Sequence, residues 1–370
     1  MPWPAVEIER LKRLNRRRSL ALPAGIDFTS NDYLGLSGHP ALRQAAMEAL
    51  SNHGVVGAAG SRLLRGHHRA HARLEDYAAS FFGSERTLYF GSGFLANYAL
   101  FTTLPDRHDA VIFDERIHAS VKEGVHASPA ARYRARHNDP QSFEAEIGRA
   151  RAKGAGRVFV AVESVYSMDG DLAPLGELNA IARRFEATLI VDEAHATGVF
   201  GRCGRGRGES LKGENWISLH SCGKALGVAG ALVCASAEMI DFLINKARPF
   251  IYSTAPPPFL ADVVTRALQL VEEEPWRRER VQEGAAMAHR ELNGAQPFAG
   301  SQIIPVILGD DERALTIADT LQKAGFDVRA IRPPTVPERT ARLRVAIHAG
   351  HSDSEIRALA AALHAARKAV

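Results

Sequence analysis

Apolar residues in this chain cluster in short, nearly unbroken runs, and the stretches between them carry helical spacing. The runs at 87–90, 110–113, 158–163, 188–192, 216–220 and 231–234 are short, mostly apolar and rich in β-branched residues. Strands covered on both faces read this way, whereas half-exposed strands alternate. From about residue 38 these runs alternate with helix-period segments, which predicts an α/β unit built on a mostly parallel sheet.

The two ends of the chain differ in texture. Residues 5–18 predict an amphipathic helix with Val6, Ile8, Leu11 and Leu14 inward, followed by a short strand at 26–30. Beyond Glu272-Glu273-Glu274-Pro275 the spacing predicts a connecting helix at 277–292 and a strand at 303–308. A helix at 311–324 stopped by Gly325 follows, then strands at 327–331 and 342–347. Ser352 and Glu355 open the final helix as a capping box, each side chain serving the other's exposed amide. The expected organisation is an N-terminal segment at 1–37, a large α/β domain at 38–276 and a smaller α+β domain at 277–370.

Composition narrows the class. The 370 residues are 46% hydrophobic and 24% charged, which fits a globular protein rather than a disordered chain or coiled coil. A net charge of +4 spread over the chain gives no nucleic-acid footprint. The densest basic run, Arg10, Lys12, Arg13, Arg16, Arg17 and Arg18, suits either an anionic ligand or a solvated helix face. Cys203, Cys222 and Cys234 are odd in number and lack metal-ligand spacing, so a reducing compartment is expected. The charged N-terminus and the lack of any run near the ~18 apolar residues of a membrane helix lead us to expect a soluble, cytoplasmic protein with no membrane partner.

The chemistry-bearing residues fall at the ends of the predicted strands, where ligands of open α/β sheets gather. Gly91-Ser92-Gly93-Phe94 follows the first run, and its small residues at a helix start let amides approach an anion. His118 follows the second run, Ser167 the third, Asp192 and His195 the fourth, and Ser221 and Lys224 the fifth. A lysine in a small-residue loop and a strand-end carboxylate are what pyridoxal phosphate requires, one for its aldehyde and one for its ring nitrogen. Each alone better suits a solvated lysine or a strand cap; together with the other strand-end residues they favour the cofactor. A metal at His118, Asp192 and His195 lacks a HExxH-type spacing, so no metal is expected, and no G-x-S-x-G elbow marks a serine hydrolase.

Motifs over nearly the whole chain resemble the α-oxoamine synthases, which are fold-type-I pyridoxal-phosphate enzymes. They include Ser30-Asn31-Asp32-Tyr33-Leu34-Gly35-Leu36, Gly60-Ser61-Arg62-Leu63, Ser92-Gly93-Phe94, His118-Ala119-Ser120, Ser167-Met168-Asp169-Gly170-Asp171 and Ile251-Tyr252-Ser253-Thr254. Arg332-Pro333-Pro334-Thr335-Val336-Pro337, followed by Ala341-Arg342-Leu343-Arg344, resembles the oxononanoate-forming branch. The resemblance implies a large domain with a mostly parallel sheet, a smaller C-terminal α+β domain and a homodimer. It implies that Lys224 forms the Schiff base, Asp192 pairs with the ring nitrogen, His195 bonds the ring hydroxyl and His118 stacks on the ring. Gly93 and Phe94 are implied to hold the cofactor phosphate through their amides, with Ser167 and Ser221 as further contacts and Thr254 reaching across to the neighbouring subunit.

On the substrate side, the resemblance gives Arg344 the amino-acid carboxylate, with Asn31 beside it, and places Arg16 and Thr335 on the acyl side. The implied reaction is decarboxylative condensation of L-alanine with a pimeloyl thioester, carried by coenzyme A or acyl carrier protein. A sibling using glycine and a short acyl-CoA shares the core motifs, but the 332–337 segment argues against it. An aminotransferase would use the same lysine and aspartate, while a binding protein that had abandoned the chemistry would be expected to lose Lys224 or His118. Two positions depart from the family pattern: Ser221 stands where many members have threonine, and Ser164 where members often have glycine.

Overall fold

In the computed structural model, which describes residues 2–211, 213 and 215–369, the chain divides into two compact units. The larger comprises Leu34–Tyr166 and Leu172–Arg278. The other gathers the residues up to Tyr33, Ser167–Asp171 and the chain from Glu279 onward.

The larger unit holds a seven-stranded sheet made of β1 (Arg86–Phe90), β2 (Ala110–Asp114), β3 (Ala131–Ala135), β4 (Val158–Glu163), β5 (Thr188–Asp192), β6 (Trp216–Ser221) and β7 (Ala231–Ala235). Its order is β1-β7-β6-β5-β4-β2-β3. Only β7 runs against its neighbours β1 and β6; the remaining pairs are parallel. The carboxyl ends of β1, β2, β4, β5 and β6 therefore share one edge.

The unbroken apolar runs are explained by two cores, one on each face. Val111, Phe113, Phe159, Ala161 and Ile190 pack into one. Ala110, Ile112, Val158, Val160, Val162, Leu189 and Val191 pack into the other. Every residue of β2 and β4 is buried, and burying each large aliphatic or aromatic side chain contributes roughly 1.5–3 kcal/mol. Strand β3 has no counterpart in the expected set. It is an edge strand in which Arg132 and Arg134 stay exposed while Tyr133 is buried, so it carries no apolar run.

In the second unit, β8 (Ile303–Gly309), β9 (Ala330–Ile331) and β10 (Ala341–Ala346) form an antiparallel sheet in the order β9-β10-β8. It packs with the helices Trp276–Asn293, Asp311–Lys323 and Asp353–Ala369 around Phe28, Ile304, Ile317, Leu343, Ile356 and Leu359. The single strand expected at 327–331 is divided. Phe326–Asp327 pairs in parallel with Ile26–Asp27, whereas Ala330–Ile331 pairs with Arg342 and Leu343.

The N-terminal helix spans Trp3–Arg13 and buries none of its residues. Val6 is 52% and Ile8 41% exposed, so the stripe expected to face inward faces out. The helix is shorter than expected because Asn15 takes a left-handed φ of 55°. The final helix has the expected cap. Ser352 N–H donates to Glu355 Oε2 at 2.7 Å, and Glu355 N–H donates to Ser352 Oγ at 3.2 Å.

Candidate active site

Lys224 lies in the loop between β6 and β7. Gly227 N–H donates to the Lys224 carbonyl at 2.8 Å, and Val228 N–H donates to the Cys222 carbonyl at 2.9 Å. Gly227 has φ 66°, and a Cβ there would stand 2.4 Å from Ser37 N, so the loop can pass this close only as glycine. The loop fixes the amine at the carboxyl edge of the sheet, where Lys224 Nζ lies 2.9 Å from His195 Nε2. His195 is buried and Lys224 half-buried.

Asp192 is the last residue of β5 and is 6% exposed. Its Oδ1 accepts from Ala194 N–H at 2.9 Å and its Oδ2 from Asn97 Nδ2 at 2.7 Å. The same Asn97 nitrogen donates to Ser120 Oγ at 3.0 Å, and Ser120 Oγ lies 2.7 Å from His118 Nδ1. His118 is the N-cap of the helix Ala119–Ala127, and its Nδ1 accepts from Ser120 N–H at 3.2 Å. The residue as a whole is exposed, yet the protein packed against it lowers its pKa below the ordinary imidazole value. The Asp192 charge opposes that shift and the Lys224 charge adds to it. Asn97 and Ser120 were not among the residues expected at the site. The signals in the sequence were the Asn97 amide in the mostly apolar helix Gly93–Thr103 and the place of Ser120 in the His118-Ala119-Ser120 motif.

That helix begins just after β1. Ser92 caps it by accepting from Leu95 N–H, which leaves Gly93 and Phe94 as the first helical amides, ahead of any i→i−4 bond. A Cβ placed on Gly93 would lie 3.8 Å from Ser221 Oγ, so these two expected cofactor contacts stand together. Thr254 is exposed and bridges to Ser61.

Glu193, next to Asp192, is fully buried. Its Oε2 accepts from Ser164 Oγ at 2.5 Å and Arg207 N–H at 3.1 Å, and its Oε1 from Gly208 N–H at 2.5 Å. Burial raises its pKa, with the Ser164 bond working against the shift. Ser164 thus adds a donor to a buried carboxyl group, which a glycine could not do.

The smaller unit holds a second cluster. Arg344, 7% exposed, donates through Nε to the Ser167 carbonyl at 2.6 Å. Its Nη2 donates to Asn31 Oδ1 at 2.9 Å and Tyr33 Oη at 3.2 Å, and Nη1 has no acceptor among the described residues. Arg16 is engaged by Asp311 at 2.9 Å and Glu338 at 2.5 Å. Thr335 Oγ1 accepts from Arg18 at 2.9 Å. Arg16, Arg18, Ile331, Arg332, Pro333 and Thr335 line a cavity of about 240 Å³. Arg18 and Arg332 are additions to the expected set; Arg18 was visible only as part of the basic run at 10–18, and Arg332 as the first residue of the 332–337 motif.

The donor set of the larger unit fits pyridoxal phosphate. First-turn amides at Gly93 and Phe94 suit a phosphate, Lys224 supplies an amine, and Asp192 keeps lone pairs for a protonated ring nitrogen beyond those used by Ala194 and Asn97. No group of His, Cys, Asp and Glu among the described residues could hold a metal ion, and no described helix is long and apolar enough to cross a membrane.

Residues 23–363 match the family model described as aminotransferase class I and II. The 8-amino-7-oxononanoate synthase of Chromobacterium violaceum is 43% identical over 368 residues, covering 95% of this chain and 94% of that protein. The enzyme of the same name from Geobacter sulfurreducens is 40% identical, covering 97% and 96%. Among solved structures, a serine palmitoyltransferase from S. paucimobilis with a bound PLP–myriocin aldimine superposes with a TM-score of 0.92 at 28% identity, covering 100% of this chain and 97% of that one. The 8-amino-7-oxononanoate synthase from Francisella tularensis gives a TM-score of 0.77 at 29% identity, covering 93% and 98%.

Proposed function

Because the chain belongs to the class I and II aminotransferase family, and is a pyridoxal-phosphate-dependent acyltransferase akin to the 8-amino-7-oxononanoate synthases, we propose that it condenses L-alanine with a pimeloyl thioester. The products are 8-amino-7-oxononanoate, CO2 and the free thiol carrier, and the setting is biotin synthesis by a cytoplasmic homodimer. The single observation that carries this choice is that the curated relatives above share the name of this one reaction.

When bound, pyridoxal phosphate supplies an aldehyde that captures amines and a ring that draws electrons from the adjoining carbon. Asp192 holds the positive charge at the ring nitrogen, because a carboxylate beside it favours the charged form. The Lys224 amine takes the α-proton of alanine, and His195, 2.9 Å from that amine, orients it and bonds the ring hydroxyl. His118 lies against the ring face and returns a proton to the product carbon. Gly93 and Phe94 hold the phosphate with Ser221 and Ser167 assisting, and Thr254 serves the site of the neighbouring subunit. Arg344, steadied by Asn31, takes the alanine carboxylate. Arg16 and Thr335 line the acyl side. In the balance of the reaction, one bond forms between the alanine α-carbon and the acyl carbon, the carbon–sulfur bond breaks, and the alanine carboxylate departs as CO2.

The test is to incubate the purified holoenzyme with L-alanine and either pimeloyl-CoA or pimeloyl acyl carrier protein, and to follow free thiol and product mass. Thiol release with the mass of 8-amino-7-oxononanoate is expected from at least one donor. An alanine-dependent thiol with a different product mass, or none from either donor, contradicts the assignment.

A further inference from the structure

We propose that Asn97 and Ser120 are positioning residues that link Asp192 to His118 and hold His118 as the neutral imidazole with its proton on Nε2. This inference rests on the reading above in which Asp192 and His118 serve the cofactor. The hydrogen-bond directions follow from what each group can do. An ionised carboxylate only accepts, so the Asn97 atom 2.7 Å from Asp192 Oδ2 is the amide nitrogen. The reverse orientation would set two oxygens against each other. The orientation adopted leaves Asn97 Oδ1 buried with no partner among the described residues, a penalty that the contact with the carboxylate must outweigh.

The second hydrogen on that nitrogen faces Ser120 Oγ at 3.0 Å, so the hydroxyl oxygen accepts there. Its own proton is then directed to His118 Nδ1 at 2.7 Å. The Ser120 backbone N–H, at 3.2 Å, also donates to Nδ1. With two donors aimed at it, Nδ1 is the unprotonated nitrogen, and the ring proton resides on Nε2. Asn97 is 2%, Ser120 1% and Asp192 6% exposed, so water cannot readily replace either link. His118 therefore offers an N–H donor from its remaining nitrogen and resists taking a second proton at Nδ1. The charges acting on this ring are those of Asp192, Lys224 and Lys122.

The test is 15N NMR of histidine-labelled full chain, with and without cofactor, and with a His118→Gln variant to assign the signal. In the unsubstituted protein Nε2 carries the proton. Asn97→Ala and Ser120→Ala should each move the ring toward a mixture of tautomers and raise its titration midpoint, and Ser120→Thr, which keeps the hydroxyl, should restore both. In the holoenzyme, Asn97→Ala should lower kcat by ~10-fold or more, the scale of one lost hydrogen bond to a charged group, with KM for the acyl donor unchanged. Unchanged tautomer and midpoint in both alanine variants would overturn the proposal. If Asn97→Ala does not fold, Ser120→Ala and Ser120→Thr decide it alone. A tautomer that responds as expected in an enzyme making some other product leaves this inference standing and removes only the substrate assignment.

Discussion

Asp192 carries more of the proposed chemistry than any other carboxylate in the chain, and it is held by two donors that leave it able to accept a third. Asp192→Asn removes the charge that favours a protonated ring nitrogen. The variant is expected to bind cofactor but turn over at least ~10²-fold more slowly, in line with other preorganised electrostatic contacts. Near-normal turnover would show that the acid sits elsewhere. Ser164 can be tested through stability, because its hydroxyl donates to the buried Glu193 carboxyl group. Ser164→Gly is expected to cost about 1–3 kcal/mol, the penalty for leaving a buried acceptor short of a donor. Chemical denaturation measures this, and an unchanged midpoint with unchanged slope would refute it. Lys224, His118, Asp192 and His195 were legible in the sequence because each follows an apolar run, and strand ends of open α/β sheets share an edge. Asn97 and its link through Ser120 were not, because Asp192 and Ser120 lie 95 and 23 residues from Asn97 and only folding brings them together.

Elements covered on both faces were legible for the same reason that they are stable. The runs of β2 and β4 feed two cores at once and leave no polar register to blur them. Edge strand β3 escaped because exposed arginines interrupt its apolar residues. The division at 326–331 also escaped, since two residues with different partners look like one short strand until the pairing is known. In the last helix the cap itself was readable. Ser352→Ala removes the hydroxyl that accepts from Glu355 N–H and should cost ~1 kcal/mol, measured as a drop in unfolding free energy. No change would mean that the cap contributes nothing.

Across the whole molecule, the units follow contacts more than chain order. Residues 167–171 group with the unit holding the chain from Glu279 onward, although the chain on either side of them belongs to the other. Local composition carries no trace of such a grouping. Stability of the whole chain should also depend on pH through histidines that fold as neutral groups. Burial lowers His220 from 6.5 to about 3, and Thr197 and Ser218 serve its two ring nitrogens. Below pH ~6.5 the unfolded chain takes up a proton that the folded chain refuses. The stabilisation is therefore complete above pH ~6.5 and declines as the pH falls toward the folded value, by about 2 kcal/mol at pH 5. Calorimetry should show Tm falling between pH 8 and pH 5, and a flat Tm over that range would contradict this account.

The most direct test of the proposed reaction is a matrix of kcat/KM values for L-alanine and glycine, each with pimeloyl, succinyl and acetyl thioesters. L-alanine with the pimeloyl thioester should be the best pair. If glycine with a short acyl group were the best pair, the enzyme would be a synthase of a different product, and the assignment to biotin synthesis would be wrong.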